Sequence, residues 1–443
     1  MPTNREIHDL TDKFVLKCMG DEEVVIYEAQ GLWIKDAEGR ETLDAISGEW
    51  VVNLGYRHPR IMEAVRQQLE KAEYTTPVFD YESRAVLAQK LSQISPGGKF
   101  TKVLFALAGG DAVEGAMHLA MRATGGTEFV SFYKAFHGRT FATIALSYSD
   151  MRMIDESKVG IERYLTKQNR VPNYDCYRCP FKMTYPTCDL FCADFVETAI
   201  QNQADGKVAG VIAEPWQANG SMTPAPDGWF QRIREITSKY GALLIVDEVQ
   251  SALCRCGPMF AIERTGVEPD LIILGKALGG GFPLSAVLAK EEYSELLKWE
   301  FGFTQMGHPV SCAAGAAMID VMVEERLWEN AEKMGARLVD GLRAIQDKYA
   351  LIGDIRGWGL MVGVELVLDR TTREQAWEAA TYAMKRAYEH GLLIGKTGPV
   401  YGDNGNVLKL KPAVNVSADE IDEILRRFDL TMADVSARWP GAL

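Results

Sequence analysis

Residues 270 to 286 read DLIILGKALGGGFPLSA, which sets one lysine, Lys276, between an apolar run and a cluster of glycines. A short Leu/Ile-rich run ending in glycine reads as a buried strand that leaves its sheet at Gly275. Lys276 then stands at a strand end, where open α/β sheets bind their ligands, although a lysine at a strand terminus also snorkels to solvent for hydration alone. Two further apolar runs end in acids: GALLIVDEVQ reaches Asp247 and Glu248, and AGVIAEPWQ reaches Glu214. If these strands are neighbours, a lysine and at least two carboxylates gather at one sheet edge.

Apolar residues followed by Asp-Glu also describe the metal-binding strand of a nucleotide hydrolase, which needs a phosphate loop G-x4-G-K-[ST]. Around Gly275-Lys276, Asp270 stands where the first glycine belongs and Ala277 where the hydroxyl belongs, so that reading fails. GWGLMVG at 357 to 363 is no dinucleotide fingerprint, because its last glycine is one residue late and it opens no βαβ unit. Pyridoxal phosphate does want a strand-end lysine, a strand-end aspartate and a glycine-rich helix start. Its aldehyde forms a Schiff base with lysine, its ring nitrogen needs an anion to stay protonated, and its phosphate needs backbone donors. FALAGGDAVEGAMHLA is an apolar strand that breaks at Gly109-Gly110 into a helix whose free N–H groups favour an anion. The same stretch also reads as a plain glycine turn capped by Asp111.

These residues need a frame. TKVLFAL (101 to 107), EFVSFY (128 to 133), AGVIAEP (209 to 215), GALLIVDEV (241 to 249), DLIILG (270 to 275) and SAVLA (285 to 289) are apolar runs separated by helix-length segments. That pattern predicts a mainly parallel sheet covered on both faces, an α/β domain over residues 55 to 315. ERLWENAEKMGARLVDGLRAIQDKYA and ADEIDEILRRFDLTMADV carry helical periodicity around the strands GLMVGVEL and NVLKLKPAV, which predicts a smaller α+β domain over 316 to 443. Residues 1 to 54, with strands in VVIYEAQ and LWIKDAEG, are expected to pack beside it.

The chain has 443 residues, 47% of them hydrophobic and 25% charged, with 40 Gly and 17 Pro dispersed rather than clustered, so nothing reads as low-complexity. A formal net charge of -13 argues against nucleic acid or an anionic membrane as partner, so an anionic ligand must be held by local design. No stretch approaches 18 uninterrupted apolar residues and MPTNREIHDLTDKF has no signal-peptide core, which predicts a cytoplasmic protein. Eight cysteines suit a reducing compartment. Cys176, Cys179, Cys188 and Cys192 follow C-x2-C-x8-C-x3-C, a spacing that admits zinc but whose middle interval is short for the common ribbons. Reduced packing cysteines, with no metal, are the preferred reading.

GKALGGGFPLSA, LLIVDEVQ, AFHGRT, IAEP and FTQMGHP, in their order and spacing, resemble the class III pyridoxal-phosphate aminotransferases of fold type I. The resemblance covers essentially the whole chain, from LDAISGEWVVNLGYRHP to IRGWGLMVGVEL. It implies a homodimer or dimer of dimers with shared active sites, and amino transfer between an amine or amino acid and a 2-oxo acid. It also implies an alternative, amino-acid racemisation, because CYRCPF resembles a segment from a branch that includes racemases; decarboxylating and phospho-lyase relatives rank lower.

By resemblance, Lys276 matches the Schiff-base lysine that also moves the substrate's α-proton, and Asp247 matches the partner of the pyridine nitrogen. Gln250 matches the residue beside the phenolic oxygen, and Phe136, with His137 next to it, the aromatic stacked on the ring. Glu214 matches an acid near the ring oxygen, Gly109 and Gly110 with Asp111 the phosphate loop, and Thr304 a hydroxyl that reaches the neighbouring subunit's phosphate. Three departures bear on the substrate. The phosphate loop reads Ala108-Gly109-Gly110 and lacks two usual hydroxyls. Lys409 replaces the arginine that holds an α-carboxylate, a point charge without the bidentate fork. SGEWVVN resembles the amine-accepting branch and puts Trp50 in the pocket, with Glu49 beside it either repelling a carboxylate or attracting a second ammonium. Arg139 matches a residue that binds a distal carboxylate in some members; it equally suits structure or a pair with Glu214.

Overall fold

The structure, a computed structural model, describes residues 2–17, 24–147, 169–398 and 405–441. Its largest sheet runs in the order Lys102–Ala106, Ser285–Ala289, Leu271–Leu274, Leu243–Asp247, Val208–Ala213, Glu128–Phe132 and Asn169–Val171. Ser285–Ala289 is antiparallel to both neighbours and every other pairing is parallel. The fold is therefore α/β, as the alternation of apolar runs and helical segments requires. Six of the seven strands are those six runs. Asn169–Val171 has three residues, Asn-Arg-Val, too short and too polar for periodicity to reveal.

Burial on both faces explains why the strands read as continuous apolar runs. In Leu243–Asp247, Leu243 and Ile245 join a core with Ala112, Val113 and Ala116 of the helix Gly109–Thr124, whereas Leu244 and Val246 join the opposite core with Phe230 and Ile233 of the helix Trp229–Tyr240. Each such side chain contributes on the order of 1.5–3 kcal/mol. Parallel pairing has one functional consequence: the carboxyl ends of Leu271–Leu274, Leu243–Asp247, Val208–Ala213 and Glu128–Phe132 all face the same edge.

A second sheet, Ile352–Trp358, Met361–Asp369, Val407–Leu410 and Gly395–Lys396, is packed by the helices Leu327–Gln346 and Trp377–Glu389, against which Ala418–Arg438 lies. A third joins Glu28–Gln30, Trp33–Lys35 and Glu41–Asp44 to Leu392–Leu393, so early and late segments share one ladder. Ile352–Trp358 and Glu41–Asp44 went unanticipated, because Gly353, Gly357 and charged residues interrupt any clean alternation there. Arg255 joins the parts. Wholly buried, its guanidinium donates to Asn53 Oδ1 at 2.7 Å, to Leu360 O at 3.2 Å and to Pro412 O. Among the described residues no helix is long and apolar enough to cross a membrane.

Candidate active site

The sheet edge gathers the residues that strand ends supply. Lys276 follows Leu271–Leu274 by two residues, Asp247 closes its own strand, and Glu214 follows Val208–Ala213. These strands are adjacent and parallel, about 4.8 Å apart. Lys276, Asp247, Glu214, Gln250, Phe136, His137, Gly109 and Gly110 line one cavity together with Gly138 and Val249. Glu248 does not. Successive side chains leave a strand in opposite directions, and Glu248 turns back to accept from Ala261 N at 2.7 Å, Ile262 N at 2.9 Å and Ser251 Oγ at 3.0 Å.

One wall is backbone. The helix Gly109–Thr124 opens at Gly109, and its first N–H groups have no intrahelical acceptor, which makes a ready anion site. Gly138, at φ +129°, packs so tightly that an added Cβ would stand 2.8 Å from Gly110 Cα, and one on Gly275 would stand 3.6 Å from Gly109 Cα. Glycine is required at Gly138 both for its φ and for that approach. Asp111 lies outside the lining: its carboxylate folds back to accept from Ala108 N at 3.0 Å.

Opposite the glycines lie the acids. Asp247 accepts from Val249 N at 3.0 Å through Oδ1, while Oδ2 meets His137 Nδ1 at 2.7 Å. His137 Nε2 is buried with no hydrogen-bond partner among the described residues. Glu214 accepts from Phe136 N at 3.2 Å and Ala218 N at 3.0 Å. Burial pushes its carboxyl up to about 7, against the pull of His137 and these donors and with the repulsion of Asp247. Arg139 places its guanidinium 5.0 Å from the Phe136 ring centre.

Lys276 takes φ +44°, a left-handed conformation that costs a non-glycine residue about 1 kcal/mol or more and is seldom kept without a use. Burial holds its ammonium below the ordinary value, partly offset by Glu49, Asp247 and Glu214. A desolvated lysine is the more nucleophilic for it. Three ammonium groups converge on one indole: Lys276 Nζ lies 5.1 Å from the Trp50 ring centre, Lys409 Nζ 4.9 Å and Lys411 Nζ 4.0 Å. Trp50 is held there by a turn in which Ser47, Gly48, Glu49 and Trp50 all have positive φ. Asp44 pins that turn, accepting from Ile46 N and Gly48 N at 2.7 Å each. Glu49 is exposed, and its charge favours the ammonium forms of both Lys276 and Lys409. Lys409 is buried, makes no ion pair among the described residues and is pushed down to about 8, chiefly by burial.

Pyridoxal phosphate makes three demands, and one cavity meets them. Lys276 offers an amine for its aldehyde, Asp247 an anion already anchored by two donors, and Gly109, Gly110 and Gly138 a cradle without Cβ atoms beside a helix N-terminus.

Other expected residues sit elsewhere. Thr304 is exposed and outside this cavity, and its backbone oxygen accepts from Tyr74 Oη at 3.0 Å. Cys176, Cys179, Cys188 and Cys192 are free thiols that line a separate cavity with Tyr174 and Met183. Burial raises Cys176 to about 11 and Cys192 to about 12, and no group of three or more His, Cys, Asp or Glu among the described residues is arranged to hold a metal. Gly138, Val249 and Lys411 are the members that sequence reasoning did not single out. Gly138 lay inside AFHGRT and Lys411 inside VLKLKP, where nothing distinguishes a second lysine two residues on from a solvated one.

Comparison with known proteins gives a consistent context. The sequence model of the class-III aminotransferases matches residues 18–432. A leucine/methionine racemase from Thermococcus litoralis is 36% identical over 93% of this chain and 91% of its own length. A diaminobutyrate–2-oxoglutarate aminotransferase from Haemophilus influenzae is 32% identical over 92% and 90%. Among solved structures, an amine transaminase from an uncultivated Pseudomonas species in its PLP-bound form superposes with a TM-score of 0.87 at 27% identity, covering 95% of this chain and 99% of that one.

Proposed function

This chain belongs to the class-III aminotransferase family, and from that premise we propose that it uses pyridoxal phosphate to move an amino group between an amine or amino acid and a 2-oxo acid, with Lys276 as its catalytic lysine. The observation that carries the reading is the convergence of half-buried Lys276, anchored Asp247 and the glycine cradle on one cavity. When bound, the cofactor supplies the electron sink that makes a substrate C–H bond acidic. Every other part falls to the protein. Gly109 and Gly110 would offer N–H groups to the phosphate, Asp247 would favour a proton on the ring nitrogen, and Phe136 would pack on the ring. Lys276, short of its full affinity for a proton, would hold the cofactor through its aldehyde carbon with loss of water and, when free as an amine, would carry the substrate's α-proton. Lys409 receives a substrate carboxylate as a single charge, which a distal group on the donor must complement.

We further propose a homodimer in which Thr304 of the partner subunit completes the phosphate site, in a cytoplasmic setting. Support for the dimer comes from exposed apolar side chains around the loop that carries Thr304: Tyr74, Val78, Phe79, Trp299 and Phe303. Tyr74 and Tyr81 tie that loop to the segment 74–81 through Thr304 O and Gly307 O.

Racemisation is the second reading, favoured by one observation: Lys409 is a second amine at the Trp50 ring, buried and with no ion pair among the described residues, and racemisation needs a second proton carrier besides Lys276. The holoenzyme is incubated with single enantiomers of amino acids in D2O without an oxo acid, with Lys276→Ala as control. An aminotransferase loses its visible cofactor absorbance after one turnover and stops. Sustained inversion with deuterium incorporation and unchanged absorbance establishes the racemase, and equal activity in Lys276→Ala removes Lys276 from both schemes.

A further inference from the structure

Lys411 has no task in the chemistry above. It is fully buried, beside Lys409, Lys276 and Arg255, all of which oppose its charge, with Glu49 the nearby acid in its favour. A cation in such surroundings is a burden on stability unless it serves something. Its Nζ lies over the Trp50 ring and donates to Gln250 Oε1 at 3.1 Å.

That one bond fixes a choice the amide would otherwise have. With Nζ as the donor, it is the amide oxygen of Gln250 that faces Lys411. The NH2 group is then left for the cavity that Gln250 lines. We propose that Lys411 is a positioning residue which locks the Gln250 amide so that its NH2 donates to an oxygen anion of the bound group. For pyridoxal phosphate the acceptor is the phenolic oxygen of the ring. This inference rests on the pyridoxal-phosphate reading and adds an orientation that the reading does not itself require. Without Lys411 an amide can turn by half a revolution and offer its own oxygen, which repels an anion.

Four proteins test it in the holo form: Lys411→Met, Lys411→Arg, Gln250→Leu and the Lys411→Met/Gln250→Leu double variant. The readouts are the pH midpoint of the visible cofactor absorbance, the cofactor dissociation constant and the melting temperature. Loss of the donor leaves the oxygen more basic, so Lys411→Met and Gln250→Leu each raise the midpoint by roughly half a unit or more and weaken cofactor about tenfold, the scale of a hydrogen bond to a charged group. The double variant matches Gln250→Leu alone, because Lys411 acts only through Gln250. Lys411→Arg, still a donor without an acceptor, keeps the wild-type midpoint. Lys411→Met removes a buried charge for an apolar chain of similar length and is expected to melt no lower than wild type. Should it fail to fold, Lys411→Gln, a neutral chain whose own amide can face Gln250 with either atom, must still raise the midpoint. An unmoved midpoint in Lys411→Met, or shifts that add in the double variant, overturns the assignment. Failure of the wild-type protein to bind pyridoxal phosphate strikes instead at the functional reading beneath it.

Discussion

Lys409 shares one indole with Lys276 and is pushed down to about 8, chiefly by burial, with Lys276 and Lys396 repelling it and Glu49 and Glu214 offsetting these incompletely. Activity and stability therefore respond to pH in opposite senses. As pH rises through about 8 the folded protein loses the Lys409 charge, so kcat/KM for a carboxylate-bearing donor should fall about tenfold per unit, since that ratio reports the free enzyme. Between about 8 and the higher value of the unfolded chain, the unfolded state binds more protons, and folding is favoured by the same deprotonation. Donors lacking a carboxylate should show no such limb, and Lys409→Arg, always charged, should abolish it. Identical alkaline limbs for both donor types would remove Lys409 from carboxylate recognition. Residues at this scale were legible where a strand delivered them. Lys276, Asp247 and Glu214 each end an apolar run, so topology alone brought them together. Lys411 was illegible because its meaning lies in Gln250, 161 residues away in sequence.

The glycine wall belongs to the scale of elements. Gly138 sits where a Cβ would stand 2.7 Å from Thr143 Oγ1 and 2.8 Å from Gly110 Cα, in a backbone conformation that L side chains avoid. Gly138→Ala should push the loop off the start of the helix Gly109–Thr124 and weaken cofactor binding by at least tenfold, read by equilibrium titration, with a smaller change in melting temperature because the helix keeps its buried face. Unchanged affinity would mean that the cradle does not depend on this approach. Here too the sequence was uneven as a guide. The six long strands are buried on both sides and announce themselves by apolar runs, and the helices Leu327–Gln346 and Ala418–Arg438 by their period. The turn Ser47–Trp50, four residues with positive φ, follows no propensity rule, since only Gly48 favours it. Asp44 and the groups packed around Trp50 hold it, and those are tertiary.

At the scale of the whole molecule, Thr304 lies away from the cavity of its own chain, and assembly is where it gains a role. If the partner subunit's Thr304 completes the site, the protein elutes as a dimer and Thr304→Ala binds cofactor less tightly. Mixing Thr304→Ala with Lys276→Ala then forms hybrids in which one site has both groups intact, so half of the hybrid sites recover wild-type affinity and turnover. No recovery, or a fully active monomer, contradicts the shared site. The Trp50 platform carries a further consequence. Its three ammonium groups come from residues 276, 409 and 411, and its ring from residue 50, with Arg255 tying Asn53 to Pro412 behind it. A chain growing from the ribosome has Asp247, Lys276 and the glycine cradle long before it has Lys409, Lys411 and Pro412. The anion cradle can therefore form first, but the floor beneath the substrate waits for nearly the last strand, and the nascent protein has no finished site with which to act.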